Sequence, residues 1–331
     1  MAESIWHRLL RDALHPALLV TSSANLRYLT GMDAHDCVLL VTPKRRILFA
    51  SPLDAERLRA EIFPGIVVKD LSTITSVLES IPVCHCEWGD VSLERIQRWK
   101  TNFKNTKFVR FSDRIEELRR KKSPEELQKF RRAQSLTKSL VAMVPSLLKP
   151  GVTEQQVAWV LEKTARERGA EGMSFPPIVG FGTHTSRPHH RPTDRKLSKR
   201  AIVQIDIGAQ VHGYCGDRSA VFFVGDPTAE QAKVVAAVTK AFRKAKAAVR
   251  AGIGTRTLDA IARDSLASAG LAKYFIHSLG HGVGLEVHER PTLSPRAPDI
   301  PLIAGEIVTI EPGVYIPDRF GVRIEEEVIV E

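Results

Sequence analysis

Cysteine is scarce in this chain: 331 residues contain Cys37, Cys84, Cys86 and Cys215 and no others. Four such scattered thiols do not make a disulfide framework, and Cys84 and Cys86 lack the second pair that would complete a zinc site, so reduced thiols are expected. Long apolar runs are also missing. No stretch of about 18 apolar residues occurs, which excludes a membrane-spanning helix. Residues 1–20, MAESIWHRLLRDALHPALLV, carry charge throughout and lack an apolar core followed by a small-residue cleavage site. No secretory signal is read there, and a cytoplasmic protein without membrane contact is expected. Nucleic-acid motifs are absent too. Lys+Arg 48 against Asp+Glu 38 gives a net charge of +10, enough for weak attraction to nucleic acid. The basic residues are densest in RIEELRRKKSPEELQKFRR (114–132), where they alternate with glutamates at helical spacing, as on a solvated helix face. No nucleic-acid partner is expected.

What is present begins with residues 201–217, AIVQIDIGAQVHGYCGD. Ile202, Val203, Ile205 and Ile207 form a β-branched run too short for a helix, and Asp206 sits inside it, where strand propensity disfavours a carboxylate. If the chain folds back near 211–212, Asp206 and Asp217 become cross-strand neighbours about 5 Å apart. Two such carboxylates repel unless a cation lies between them. Taken alone, the stretch is equally well a strand with an exposed aspartate and a Gly-rich turn.

The pattern occurs twice. AIVQIDIGA (201–209) aligns with EIVTIEPGV (306–314), placing Asp206 on Glu311 and Gly208 on Gly313. LKPGVTEQQVAWVLEKTARERGA (148–170) aligns with VRAGIGTRTLDAIARDSLASAGL (249–271), and FPPIVGFGTHTSRPHH with FIHSLGHGVGLEVHER, so that His189 falls opposite His288 to within one position. A period of roughly 100 residues is too long for a solenoid and reads as a duplicated half-domain of helix, strand and hairpin around a central cleft. Within it, glycines on both sides of His281 let backbone approach closely. One imidazole beside several strand-borne acids suits Mn(II), Co(II), Fe(II) or Zn(II).

Before the repeat, residues 17–50 read as strand, helix and a strand hairpin turning at 42–46, followed by a helix capped by Ser51 and another strand. These elements suggest a small α/β domain ending near Asp113, with no cluster of acids or histidines, serving as scaffold or oligomerisation domain. After a linker, Ser123 and Glu126 form a capping box that opens a long amphipathic helix, which Pro145 is expected to kink or end. Thr153 caps a helix over 154–168, and two more helices lie near 229–250 and 256–269. The expected fold class is α+β, with domains 1–116 and 117–331, the second an antiparallel sheet with helices on its outer face.

GYCGD, GHGVGLEVHE, TIEPGVY and GVRIEEEVIV, in this order behind QIDIGA, resemble the metallopeptidases of the pita-bread fold, the group of Xaa-Pro dipeptidase (prolidase), aminopeptidase P and methionine aminopeptidase. VTSSANLRYLTGM resembles the creatinase-type N-terminal domain of the first two. The resemblance implies a curved antiparallel sheet of pseudo-twofold halves and five ligands for two divalent ions: Asp206, Asp217, His281, Glu311 and Glu325. It implies that Asp206 serves one ion, His281 and Glu311 the other, and that Asp217 and Glu325 bridge them, with Mn the first expectation and Co, Zn or Fe alternatives. The implied reaction is hydrolysis of the bond before proline by a hydroxide shared between the ions. Glu311 would move the proton to the leaving nitrogen, His288 would steady the tetrahedral intermediate, His189 would line the substrate side, and Arg323 would orient the bridging acids. The implied partners are a proline-containing peptide and a second copy of the chain in a homodimer.

Several residues depart from that pattern. Ser219 stands where the family has threonine, FASPLDAER replaces an aspartate-arginine-tyrosine signature, and Thr292 follows Pro291 where some prolidases carry an arginine for the substrate carboxylate, a role open to Arg290 or Arg296. The family's closing segment beyond Glu331 is not in the sequence, and altered access or stability is expected from that. Dipeptidase and aminopeptidase therefore both stand. The readings from other classes are an inactive binding module of the same fold and a creatinase-like amidinohydrolase.

Overall fold

The computed structural model describes residues 5–10, 17–111 and 113–331; positions 1–4 and 11–16 of the charged N-terminal stretch, and position 112, lie outside the described residues. The chain divides into two compact units, Met1–Arg119 and Arg120–Glu331.

In the first unit α1 (Ile5–Leu10), β1 (Leu18–Val20), α2 (Ser23–Thr30), β2 (Val38–Val41), β3 (Arg46–Ala50), α3 (Pro52–Glu61), β4 (Val67–Asp70), α4 (Ile74–Leu78), β5 (Val83–Cys86), α5 (Leu93–Asn102) and β6 (Lys107–Arg110) follow one another. The strands form one mixed sheet in the order β4-β3-β2-β1-β5-β6. Its central strands are apolar on both faces because both faces are covered. Leu18, Val20, Leu39 and Val41 pack into one cluster, and Leu19, Val38 and Leu40, one residue out of phase, into the other.

The expected linker is helical instead: α6 spans Arg114–Arg120, leaving only 121–123 before α7 (Pro124–Leu147). Nor is the basic run simply a solvated face. Arg119 is 3% and Lys122 4% exposed. Arg120 Nε donates to Glu306 Oε1 at 2.5 Å, and Lys122 Nζ to Glu289 Oε2 at 3.2 Å. The partners lie far away in sequence, so local charge alternation could not show them.

The second unit continues with α8 (Glu154–Glu167), β7 (Gly172–Met173), β8 (Ile178–Phe181), β9 (Ala201–Ile207), β10 (Ala209–Val211), β11 (Tyr214–Cys215), β12 (Arg218–Val224), α9 (Ala229–Ala248) and α10 (Thr255–Ala267). Then come β13 (Gly280–Gly282), β14 (Glu289–Leu293), β15 (Ile307–Ile310), β16 (Gly313–Ile316), β17 (Phe320–Arg323) and β18 (Glu326–Ile329). Capping boxes at Ser123/Glu126, Thr153/Gln156 and Thr228/Gln231 start α7, α8 and α9. Helix α7 passes through Pro145 and ends two residues later, at Leu147.

All strand pairs of this unit are antiparallel. The first copy supplies the sheet β12-β9-β8 and the second β14-β13-β15-β18, each with a small hairpin, β10-β11 and β16-β17. Alternation decides which side chains face the helices. Val203, Ile205 and Ile207 are buried among residues of α7 and α8, each contributing roughly 1.5–3 kcal/mol. Gln204 and Asp206 therefore point the other way. In the second copy Val308, Ile310, Val314, Ile316, Phe320 and Val322 join the helix-side core. Odd-numbered Thr309, Glu311, Tyr315 and Arg323 take the opposite face.

Candidate metal centre

The first hairpin turns one residue later than expected. His212 and Gly213, with φ of 51° and 80°, make the two-residue turn with positive φ that suits a twisted hairpin. As a result Asp206 stands opposite Ser219, not opposite Asp217. The facing pair of acids occurs in the second copy instead: Ile310 faces Glu326 and Gly313 faces Arg323, which puts Glu311 and Glu325 opposite one another.

Ligand atoms of Asp217, His281 and Glu325, all buried, lie within 4.8 Å of one another. His281 Nε2 is 3.3 Å from Glu311 Oε1 and 3.6 Å from Asp217 Oδ2. Its Nδ1 is 3.0 Å from the carbonyl of Gly282, an acceptor for a proton on Nδ1 that leaves Nε2 facing the acids. The glycines around it are required by contact. A Cβ on Gly280 would lie 2.0 Å from the Thr309 carbonyl oxygen, and one on Gly282 2.1 Å from that of Arg290.

Arg323 is the one guanidinium buried among these acids. It pairs with Asp206 Oδ2, donates to Ser219 Oγ at 2.8 Å, to the Tyr315 hydroxyl at 2.7 Å and to the Pro188 carbonyl at 3.2 Å. Ser219 Oγ passes its own proton to Glu325 Oε2 at 2.7 Å. Sequence reasoning had this arginine orienting Asp217 and Glu325; the structure ties it to Asp206, and it reaches Glu325 only through Ser219. The serine thus keeps the function a threonine hydroxyl would have.

Burial, followed by the neighbouring carboxylates, pushes Asp217 and Glu325 well above the usual carboxylate range. Burial also raises Asp206, against the pull of Arg323. Glu311 goes the other way: burial would raise it, but the bond and charge of His281 outweigh that. Glu327, which accepts from the Asp217 amide at 2.6 Å, is raised to about 7 by burial. The second oxygen of Asp206, Oδ1, is buried without a hydrogen-bond partner. An excess of buried carboxylates, an orphaned carboxylate oxygen and an imidazole nitrogen facing them fit divalent cations.

His288 sits edge-on to His281, ring centres 4.3 Å apart, and burial followed by the charge of His281 lowers its pKa. His189 is exposed, yet near enough to His288 and His277 to depress the proton affinity of both. The Tyr214 hydroxyl donates to Glu126 in the first turn of α7 at 2.7 Å. Residues not singled out from the sequence are Tyr315 and His277, joined at 3.1 Å, and Thr309, whose Oγ1 accepts from the His281 amide at 3.0 Å. Tyr315 was within reach, since it shares the odd-numbered face with Glu311. Away from this centre, Glu154, His184 and His190 form a second cluster.

Metallopeptidase family M24 matches residues 128–331, and the creatinase/prolidase N-terminal domain matches residues 7–121. An uncharacterized peptidase of Staphylococcus saprophyticus is 34% identical over 323 residues, covering 95% of this chain and 92% of that one. Among solved structures, the prolidase from Pyrococcus horikoshii OT3 superposes with a TM-score of 0.93 at 30% identity, covering 98% of this chain and 94% of its own. The Xaa-Pro dipeptidase from Bacillus anthracis gives the same figures, 0.93, 30%, 98% and 94%. The X-Pro aminopeptidase from Thermotoga maritima gives 0.89 at 30% identity, with 98% and 95% covered. With five acid and imidazole donors gathered between two copies of one half-domain, behind a creatinase-type N-terminal domain, the chain belongs to metallopeptidase family M24 and has its pita-bread fold.

Proposed function

We propose that this metallopeptidase hydrolyses the bond between a first residue and proline and holds two divalent ions to do so. The observation that carries the proposal is the gathering of buried Asp206, Asp217, His281 and Glu325 with half-buried Glu311, where Arg323 is far too little positive charge for them. Asp206 would hold one ion, His281 and Glu311 the other, and Asp217 and Glu325 both. When bound, such ions polarise the scissile carbonyl and acidify water. Mn(II) is the first to test, followed by Co(II), Fe(II) and Zn(II).

The chain's own groups do the remainder. Glu311 takes a proton from the attacking water and delivers it to the proline nitrogen as the bond breaks. His288, kept neutral, donates an N–H to the oxygen on which charge develops. His189 lines the substrate side. Arg323 stops Asp206 from rotating, and through Ser219 it does the same for Glu325. An Xaa-Pro bond lacks the N–H that general peptidases grip, which makes a dedicated enzyme useful.

The test is turnover of Ala-Pro and Ala-Pro-Ala with added Mn(II). Cleavage of the first alone makes the protein a dipeptidase, and cleavage of the second an aminopeptidase. Hydrolysis of Ala-Ala with neither proline peptide cut overturns the specificity.

A further inference from the structure

Glu154 is the first residue of α8 and is completely buried. Its carboxylate accepts from donors that all belong to one distant segment, 181–193. Oε1 takes the Phe181 amide at 2.8 Å and His184 Nδ1 at 2.8 Å. Oε2 takes His190 Nε2 at 2.9 Å, the Thr193 amide at 2.9 Å and Thr193 Oγ1 at 2.7 Å. After Phe181, the last residue of β8, the short 3-10 turn Gly182–Ser186 is the segment's one piece of regular structure. Burying a carboxylate is unfavourable unless its lone pairs are satisfied, and here the segment's own donors satisfy them. In the second copy the equivalent position is Thr255, whose hydroxyl accepts from the Ile300 amide at 3.2 Å, so the buried carboxylate belongs to one half only.

The segment leads to the metal centre. The Pro188 carbonyl, next to His189 in the chain, accepts from Arg323 at 3.2 Å, and Thr185 Oγ1 accepts from the Gly321 amide at 2.8 Å. His184 and His190 lie close enough to Glu154 to resemble an ion site. Both imidazoles are directed at the carboxylate, however, and with the amides and the hydroxyl they leave it no lone pair for a metal.

We infer that Glu154 is a positioning residue: it fastens 181–193 so that His189 faces the substrate, and its effect on turnover passes through His189. This rests on the role given to His189 above. The test is a double-mutant cycle in the Mn(II)-loaded full chain with Ala-Pro as substrate. Glu154→Gln should lower kcat/KM on the order of 100-fold, as a displacement near 1 Å does. In a His189→Ala background the same change should cost less than about twofold. Thr193→Val, nearly isosteric, should act in the same direction more weakly and guards against a misfolded Glu154→Gln. Amide exchange through 182–193 should accelerate while β9 and β12 stay protected. The inference is overturned by an equal loss in both backgrounds, by unchanged exchange, or by a metal ion that Glu154→Gln loses and His189→Ala keeps. If the wild type turned over no Xaa-Pro peptide, the functional reading would fail, while exchange, which needs no substrate, would still decide the anchor.

Discussion

Replacing Asp217 by asparagine should change the sign of its effect on stability according to whether metal is present. Ligand atoms of Asp217 and Glu325 lie within 4.8 Å. At an effective dielectric constant of about 20, two full charges at that separation repel by about 3 kcal/mol. Because both groups have raised pKa values, the metal-free protein relieves part of this by taking up protons near neutral pH. In chelator, Asp217→Asn should therefore melt a few degrees higher than the wild type. In Mn(II) the order reverses. Ions binding only the folded wild type add about 2.7 kcal/mol each at 100 times Kd, and the variant loses much of that together with turnover. The pH dependence has a definite sign. A folded-state carboxyl pKa above the unfolded value means tighter proton binding in the folded state, so metal-free stability rises as pH falls through the raised values and is lost as pH climbs above them. Asp217→Asn should flatten this slope. Thermal melts at several pH values, with chelator and with Mn(II), test all of it. A variant that melts lower in chelator, or that keeps the whole Mn(II) shift, refutes the reasoning.

Arg323→Lys should weaken Mn(II) binding or turnover about 10- to 100-fold, because one ammonium cannot serve Asp206, Ser219, Tyr315 and Pro188 together; metal titration reads it out. Gly282→Ala places a Cβ 2.1 Å from the Arg290 carbonyl oxygen, a backbone atom that cannot swing aside, and should destabilise by about 3 kcal/mol or more in urea melts. Burial would raise the Glu154 carboxyl, but bonds from His190, Thr193 and Phe181 outweigh it and hold the pKa below 4.5. Its contribution is thus present above the unfolded value and lost as pH falls through the folded one, and Glu154→Gln should blunt acid unfolding below about pH 4.5.

The sequence was most informative where chemistry conflicts with local preference. An acid inside a β-branched strand is conspicuous, and finding Asp206 and Glu311 at equivalent places in two copies singled out those two acids before any geometry was known; Asp217, His281 and Glu325 entered as ligands through the resemblance to the pita-bread metallopeptidases. The hairpin register was not readable to one residue, because it depends on His212 accepting a left-handed conformation, which no pattern announces. Capping boxes, being local, were legible at Ser123. Arg119 and Lys122 were not legible as buried, nor Arg120 as paired, since their surroundings come from residues far along the chain. Glu154 was hidden for the same reason: at the start of a helix an acid looks like an ordinary favourable end charge, and only folding brings His184, His190 and Thr193 to it.

The join between the two copies has a structure of its own. Gln204, on β9, receives the Arg323 amide on its side-chain oxygen at 2.8 Å and returns its NH2 to the Arg323 carbonyl at 3.3 Å, imitating with an amide side chain what a neighbouring strand would offer. Beside it the Glu325 amide donates to the Ser219 carbonyl at 3.1 Å, so a main-chain bond and an amide side chain that imitates one hold the two walls of the cleft at a single spacing. Exchanging Gln204 for an apolar residue would leave each sheet's own ladder intact and loosen this seam alone.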